Sequence, residues 1–197
     1  MIKKVLVYLG ATMPADASYT QAVQELGEGL ASHGLTLVFG GSKEGTMTVL
    51  ADAVLNNGGQ AIGVFTKALP MTLLYPGLTQ TIMTEDFLER KNEMFCLADA
   101  IIAMPGSFGT WDELFDALER NKVERIHRRP AKPVALLNLN GYYDGVVTLL
   151  QRSIQEGFTT KRYAKLLHSA ATVGELFEWL GTCRRGKDNT NQRSCRR

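Results

Sequence analysis

This 197-residue chain predicts an α/β fold: a Rossmann-like parallel sheet with helices on both faces. Three observations carry that reading. Short apolar runs alternate with amphipathic helical stretches from the first residues onward, and the connections between them are brief. The runs are apolar almost throughout, as strands covered on both faces are.

The first strand is expected over residues 2–9. Lys3 and Lys4 before a short apolar run mimic an export signal, but Val5 to Leu9 is too short for one and ends at Gly10. A helix follows over 17–33, with Tyr19, Val23, Leu26 and Leu30 at helical spacing and Gly34 as the C-cap. LTLVFGG at 35–41 is the second strand and ends in paired glycines. A helix over 46–57 stops at Asn57, Gly58 and Gly59, and a third strand covers 60–65. Residues 66–78, with Pro70, Pro76 and Gly77, read as loop or irregular helix.

A strand at 79–83 leads to a helix over 85–98, for which Thr84 is the expected cap and Glu85 and Asp86 the first-turn acids. The next strand, 100–104, passes through a glycine-containing turn into a helix over 110–121. A polar, basic connection, 122–132, then precedes a strand at 134–139. Helices near 142–156 and 172–180 complete a single domain spanning 1–181.

With 45% hydrophobic and 21% charged residues, the balance is that of an ordinary globular protein, and no apolar stretch reaches the ~20 residues of a membrane span. The net charge of +2 is unevenly placed. Arg184, Arg185, Lys187, Arg193, Arg196 and Arg197 against Asp188 put +5 on residues 182–197, which leaves −3 on the rest. The basic character thus belongs to a polar tail expected to be disordered, and the body offers no feature of a nucleic-acid binder. Cys96, Cys183 and Cys195 have neither disulfide-framework nor zinc spacing, which points to a reducing cytoplasmic setting and no metal. His33, His127 and His168 receive no catalytic role.

In an open parallel sheet the ligand sits at the carboxyl ends of the strands, where strand order reverses. Three segments fall at such ends: Gly10, Ala11 and Thr12; Gly40, Gly41, Ser42 and Gly45; and Pro105, Gly106, Ser107, Phe108, Gly109 and Thr110. The third opens a helix, whose free N–H groups and dipole favour a phosphate. No loop fits the P-loop pattern and the first lacks G-x-G-x-x-G, so no dinucleotide cofactor is called for. A glycine-rich turn alone is also what any tight connection looks like.

Glu113 lies three residues past Thr110 on the same helical face. It is either a pocket carboxylate or, like Asp112 and Asp116, a partner of the helix dipole. Arg90 falls inside the apolar stripe of its helix, between Phe87 and Met94. It can pair with a carboxylate, fork onto a phosphate, or snorkel at the helix edge. Phe108, Trp111, Tyr142 and Tyr143 fit either a base-stacking or a packing role.

These residues resemble the LOG family, phosphoribohydrolases that activate cytokinins and once carried a lysine-decarboxylase label. The family signature PGGxGTxxE is matched by Pro105 to Glu113, its Arg-Lys pair by Arg90-Lys91, and its second-strand glycine motif by Gly40 to Met47. Lys132 to Leu150 and Glu156-Gly157-Phe158 are similar to it as well, so the likeness covers roughly residues 3–160. Ser42 and Ser107 stand where the family pattern has glycine, Thr46 and Thr48 where it has Leu and Gly, and Leu88 where histidine is frequent.

The resemblance implies hydrolysis of AMP or an N6-substituted AMP to free base and ribose 5-phosphate, with no cofactor and no metal. It places the phosphate on Gly106, Gly109, Thr110 and the backbone of Gly41 to Gly45. Glu113 would be the catalytic carboxylate, Arg90 its orienting partner and Lys91 a weaker member. A homodimer is implied too. A pyrimidine nucleotide such as CMP, or a nucleotide-binding regulator without catalysis, are the alternatives. A pyridoxal-phosphate decarboxylase is not supported, because Lys91, beside Arg90, lacks a cofactor motif.

Overall fold

The structure is a computed structural model that describes residues 1–185; most of the basic segment lies outside them. Seven strands form one wholly parallel sheet: β1 (Lys4–Tyr8), β2 (Thr36–Phe39), β3 (Ala61–Thr66), β4 (Gln80–Thr84), β5 (Ala100–Ala103), β6 (Val134–Leu137) and β7 (Leu167–Ala170). Their order is β4-β3-β2-β1-β5-β6-β7. The chain therefore winds outward from β1 to one edge and then restarts beside β1 at β5. Register places Val5 against Leu37 on one side and Ala100 on the other.

The helices are α1 (Ala17–Ser32), α2 (Thr46–Asn56), α3 (Phe87–Leu97), α4 (Phe108–Ile126), α5 (Asp144–Gln155), α6 (Lys161–Ala164) and α7 (Val173–Arg185). Alternate side chains of each central strand feed opposite cores. Val5 and Val7 pack with Leu26, Leu50 and Leu176 beneath α1, α2 and α7. Leu6 and Tyr8 pack with Met94, Leu114 and Tyr143 beneath α3, α4 and the start of α5. This double burial is why the strands read as continuous apolar runs.

The architecture matches the expected one, with local differences. Asp86, not Thr84, caps α3, its carboxylate accepting from Glu89 N at 2.8 Å. Thr84 is instead the buried end of β4, its hydroxyl donating to Phe65 O at 3.2 Å. Helix α4 begins at Phe108 and runs to Ile126, absorbing the first part of the expected connection. Helix α7 runs through Arg185, four residues into the segment read as tail. The strand β7 and the short α6 had no counterpart in the sequence reading. No helix among the described residues is long and apolar enough to cross a membrane.

Two side chains lock the far end of α4 to the sheet. Asn121, fully buried, donates to Lys132 O at 2.8 Å and accepts from Lys132 N at 2.9 Å. Lys132 Nζ donates to Ala98 O at 2.7 Å and to Phe95 O, taking up carbonyls that the end of α3 leaves open. Helix α4, which carries the candidate site at its other end, is thereby fixed at its C-terminal end.

Candidate active site

The strand-order reversal falls between β1 and β5, and the first and third glycine loops meet there. A Cβ built on Gly10 would lie 3.7 Å from the Gly106 Cα. The loop after β2 reaches the same crevice. Gly45 (φ +53°) lies against the first loop so closely that a Cβ there would sit 2.3 Å from the Ala11 carbonyl carbon. Only glycine tolerates both that dihedral and that approach. Thr46, the first residue of α2, donates its hydroxyl to Gly10 O at 2.7 Å. Gly10, Ala11, Thr12 and Gly45 are thus brought to one place with Gly106, while Gly41 lies against Gly63 of β3 and Ser42 pairs with Leu74.

Ser107 is the N-cap residue of α4 but makes no side-chain cap bond. The first N–H groups of this helix accordingly face outward with the positive end of its dipole. Thr110 is buried, its hydroxyl lying directly against Gly106, where a Cβ would come within 2.2 Å of it. Ser107, Phe108 and Gly109 are exposed, and the Phe108 ring, 81% exposed, meets Trp111 edge-on at 5.3 Å.

Glu113 follows one turn deeper on α4, half-buried. Burial pushes its carboxyl up to about 7; Arg90 and Lys91 oppose the rise, and Asp112 and Asp116 add to it. Among the described residues no side chain hydrogen-bonds this carboxylate. It also acts on Tyr8 at the end of β1, whose phenol is raised well above its usual value, first by burial and then by Glu113.

Arg90 does not snorkel. Its Nε donates to Val64 O at 2.8 Å and its Nη2 to Gly40 O at 2.7 Å, so one guanidinium ties the carboxyl ends of β3 and β2. Gly40 has no side chain because a Cβ there would fall 2.0 Å from Nη2. Burial lowers the guanidinium pKa and the charge of Glu113 raises it. Lys91 turns to α4 and pairs with Asp112 at 2.9 Å, so its charge reaches Glu113 only at longer range.

A family model described as "Possible lysine decarboxylase" matches residues 47–180, over two thirds of the chain. The rice (Oryza sativa subsp. japonica) cytokinin riboside 5'-monophosphate phosphoribohydrolase LOG is 35% identical over 175 residues, covering 88% of this chain and 71% of that protein. The chain belongs to the LOG family. An Arabidopsis thaliana enzyme with the same activity in its name is 34% identical over 179 residues, covering 90% of this chain and 81% of its own. Among solved structures, the molybdenum cofactor carrier protein of Chlamydomonas reinhardtii superposes with a TM-score of 0.70 at 22% identity. That match covers 94% of this chain and 99% of the carrier, a likeness of fold alone.

The LOG signature, Pro105 to Glu113, therefore spans the β5–α4 turn and the first turns of α4, and its Arg-Lys pair faces it from α3. Sequence reasoning missed what Arg90 binds and left Tyr142 undecided. Tyr142 donates its hydroxyl to Gly106 O, and Tyr143, fully buried, donates to Met104 O at 2.7 Å. The paired glycines after β2 were a usable signal for the first; nothing in the local pattern signalled the second.

Proposed function

We propose that this site hydrolyses the N-glycosidic bond of a nucleoside 5'-monophosphate, with AMP or an N6-substituted AMP as the favoured substrate. The observation that carries the reading is a half-buried carboxylate, Glu113, one helical turn below an open helix N-terminus and within electrostatic reach of a strand-anchored guanidinium. One turn is about 5 Å, enough to set a ribose between a 5'-phosphate and the carboxylate. The family's named phosphoribohydrolases support the substrate class.

In this reading the N–H groups of Ser107, Phe108 and Gly109, with the Thr110 hydroxyl, hold the phosphate, and the loops Gly10–Thr12 and Gly41–Gly45 close around it. Pro105 and Gly106 shape the turn. As the bond from the anomeric carbon to the base breaks, its electron pair leaves with the base and positive charge develops on the sugar. Ionised Glu113 stabilises that charge. Water adds to the anomeric carbon, and the proton it gives up balances the departing base. The charge of Arg90 favours the ionised form of Glu113, and Lys91 contributes at longer range. The chemistry needs no metal and no cofactor.

Incubation with AMP, N6-isopentenyl-AMP, CMP, GMP, UMP and IMP, with chromatographic measurement of base and ribose 5-phosphate, tests the proposal. Equimolar release of both products from the adenine nucleotides is expected. Release from CMP alone would move the substrate to the pyrimidines, and binding of the panel without release would mark a nucleotide sensor.

A homodimer in the cytoplasm completes the reading. Phe108, Phe115 and Ile126 form an exposed apolar stripe on α4, beside exposed Phe87 and Leu88 on α3. A second copy laid on this surface would cover it and bring the partner close to the phosphate loop. Phe115→Glu is expected to convert dimer to monomer in light scattering; a wild type already monomeric at micromolar concentration sinks the idea.

A further inference from the structure

Two adjacent tyrosines between β6 and α5 have no part in the reaction just described, yet both reach the phosphate loop. Tyr143 donates to Met104 O and Tyr142 to Gly106 O, the two carbonyls that flank Pro105. Both rings are held in place. Tyr142 meets Tyr143 edge-on at 4.9 Å and Tyr19 of α1 at 6.0 Å. The turn that presents them is fixed by Asn138, whose side chain accepts from Tyr143 N at 2.6 Å and donates to Asp144 at 2.8 Å. Asn140 (φ +53°) and Gly141 (φ +72°) supply its left-handed backbone. A Cβ on Gly141 would meet the Asp144 carboxylate at 2.6 Å.

The carbonyl of Gly106 belongs to the same planar unit as the N–H of Ser107. In a trans peptide the two point in opposite directions. Holding Gly106 O toward Tyr142 therefore fixes the Ser107 N–H away from it. Glycine at 106 would otherwise let this peptide rotate, and Ser107 makes no cap bond to restrain it. Pro105 has no N–H, so the segment has few other anchors.

We propose that Tyr142 is a positioning residue for phosphate recognition. Its hydroxyl locks the Gly106–Ser107 peptide so that the Ser107 N–H is presented to the 5'-phosphate, without itself touching the reacting atoms. This rests on the reading of the α4 N-terminus as the phosphate cradle.

Tyr142→Phe keeps the ring contacts and removes the hydroxyl alone. The affinity of wild type and variant for ribose 5-phosphate is measured by calorimetry, with the Ser107 amide followed by NMR and KM and kcat taken on the best nucleotide. Expected are a rise in Kd and KM of about 5- to 20-fold, from one weakened hydrogen bond to a charged group. A smaller Ser107 amide shift on ligand binding and a kcat within about 3-fold of wild type are expected with it, since only a ground-state contact is disturbed. Unchanged Kd in the variant overturns the proposal, as does a fall in kcat with KM unchanged, which would place the hydroxyl at the reacting centre. A wild type that binds no ribose 5-phosphate overturns the cradle itself, and the proposal with it, so the two failures are told apart by the wild-type titration.

Discussion

Glu113→Gln is expected to lower kcat by at least about 100- to 1000-fold, the effect of removing one preorganised electrostatic group from a transition state. The same change is expected to make the protein more stable at neutral and alkaline pH. The reason is the raised pKa. Burial lifts the Glu113 carboxyl from 4.5 to about 7, so between those values the folded state binds a proton that the unfolded state has released. Stability contributed by the protonated carboxyl is therefore full below about pH 4.5 and is lost as pH rises through about 7. Glutamine, always neutral, escapes that loss. With the partial exposure of the group discounted, the variant should gain about 1–3 kcal/mol at pH 8 and nothing at pH 4.5. Urea denaturation of both proteins at the two pH values measures the difference. Catalysis needs the opposite protonation state, so wild-type kcat/KM should rise with pH and level off above an inflection near 7. A profile flat from pH 5.5 to 8.5, or a glutamine variant as active as wild type, would remove Glu113 from the chemistry.

That conflict between stability and activity is legible in the sequence only in part. An arginine within an apolar stripe breaks the pattern of a helix that only packs, whereas Glu113 stands out from Asp112 and Asp116 only through the signature Pro105 to Glu113. The central strands were legible because burial on both faces leaves no polar alternation. The strand β7 was not, because Leu167–Ala170 sits at the sheet edge and carries His168 and Ser169 among its four residues. The last turn of α4 was hidden for a related reason. Residues 122–126 are mostly charged and none is buried, and a charged helix end looks like a connection. The partners of Arg90 and Tyr142 are backbone carbonyls, up to 50 residues away in the chain. Every residue has a carbonyl, so only the fold reveals which ones are bound.

Arg90→Met is expected to cost about 2–4 kcal/mol of stability, because it leaves two carbonyls at buried residues, Gly40 and Val64, without their donor. The loss should not be confined to stability. Arg90 is the largest of the charges holding the Glu113 pKa down, so its removal should move the inflection of any residual activity to higher pH. Arg90→Lys separates charge from geometry. An ammonium restores the positive charge but cannot reach two strand ends at once as the planar fork does. It should recover much of the pKa effect and little of the stability. The double variant Arg90→Met/Glu113→Gln gives the coupling: with no carboxylate left to strand, it should be more stable at pH 8 than Arg90→Met alone, in excess of the Glu113→Gln gain in the wild-type background. Strict additivity in that cycle would mean that the arginine serves the strand ends only, and that Glu113 keeps its charge state without it.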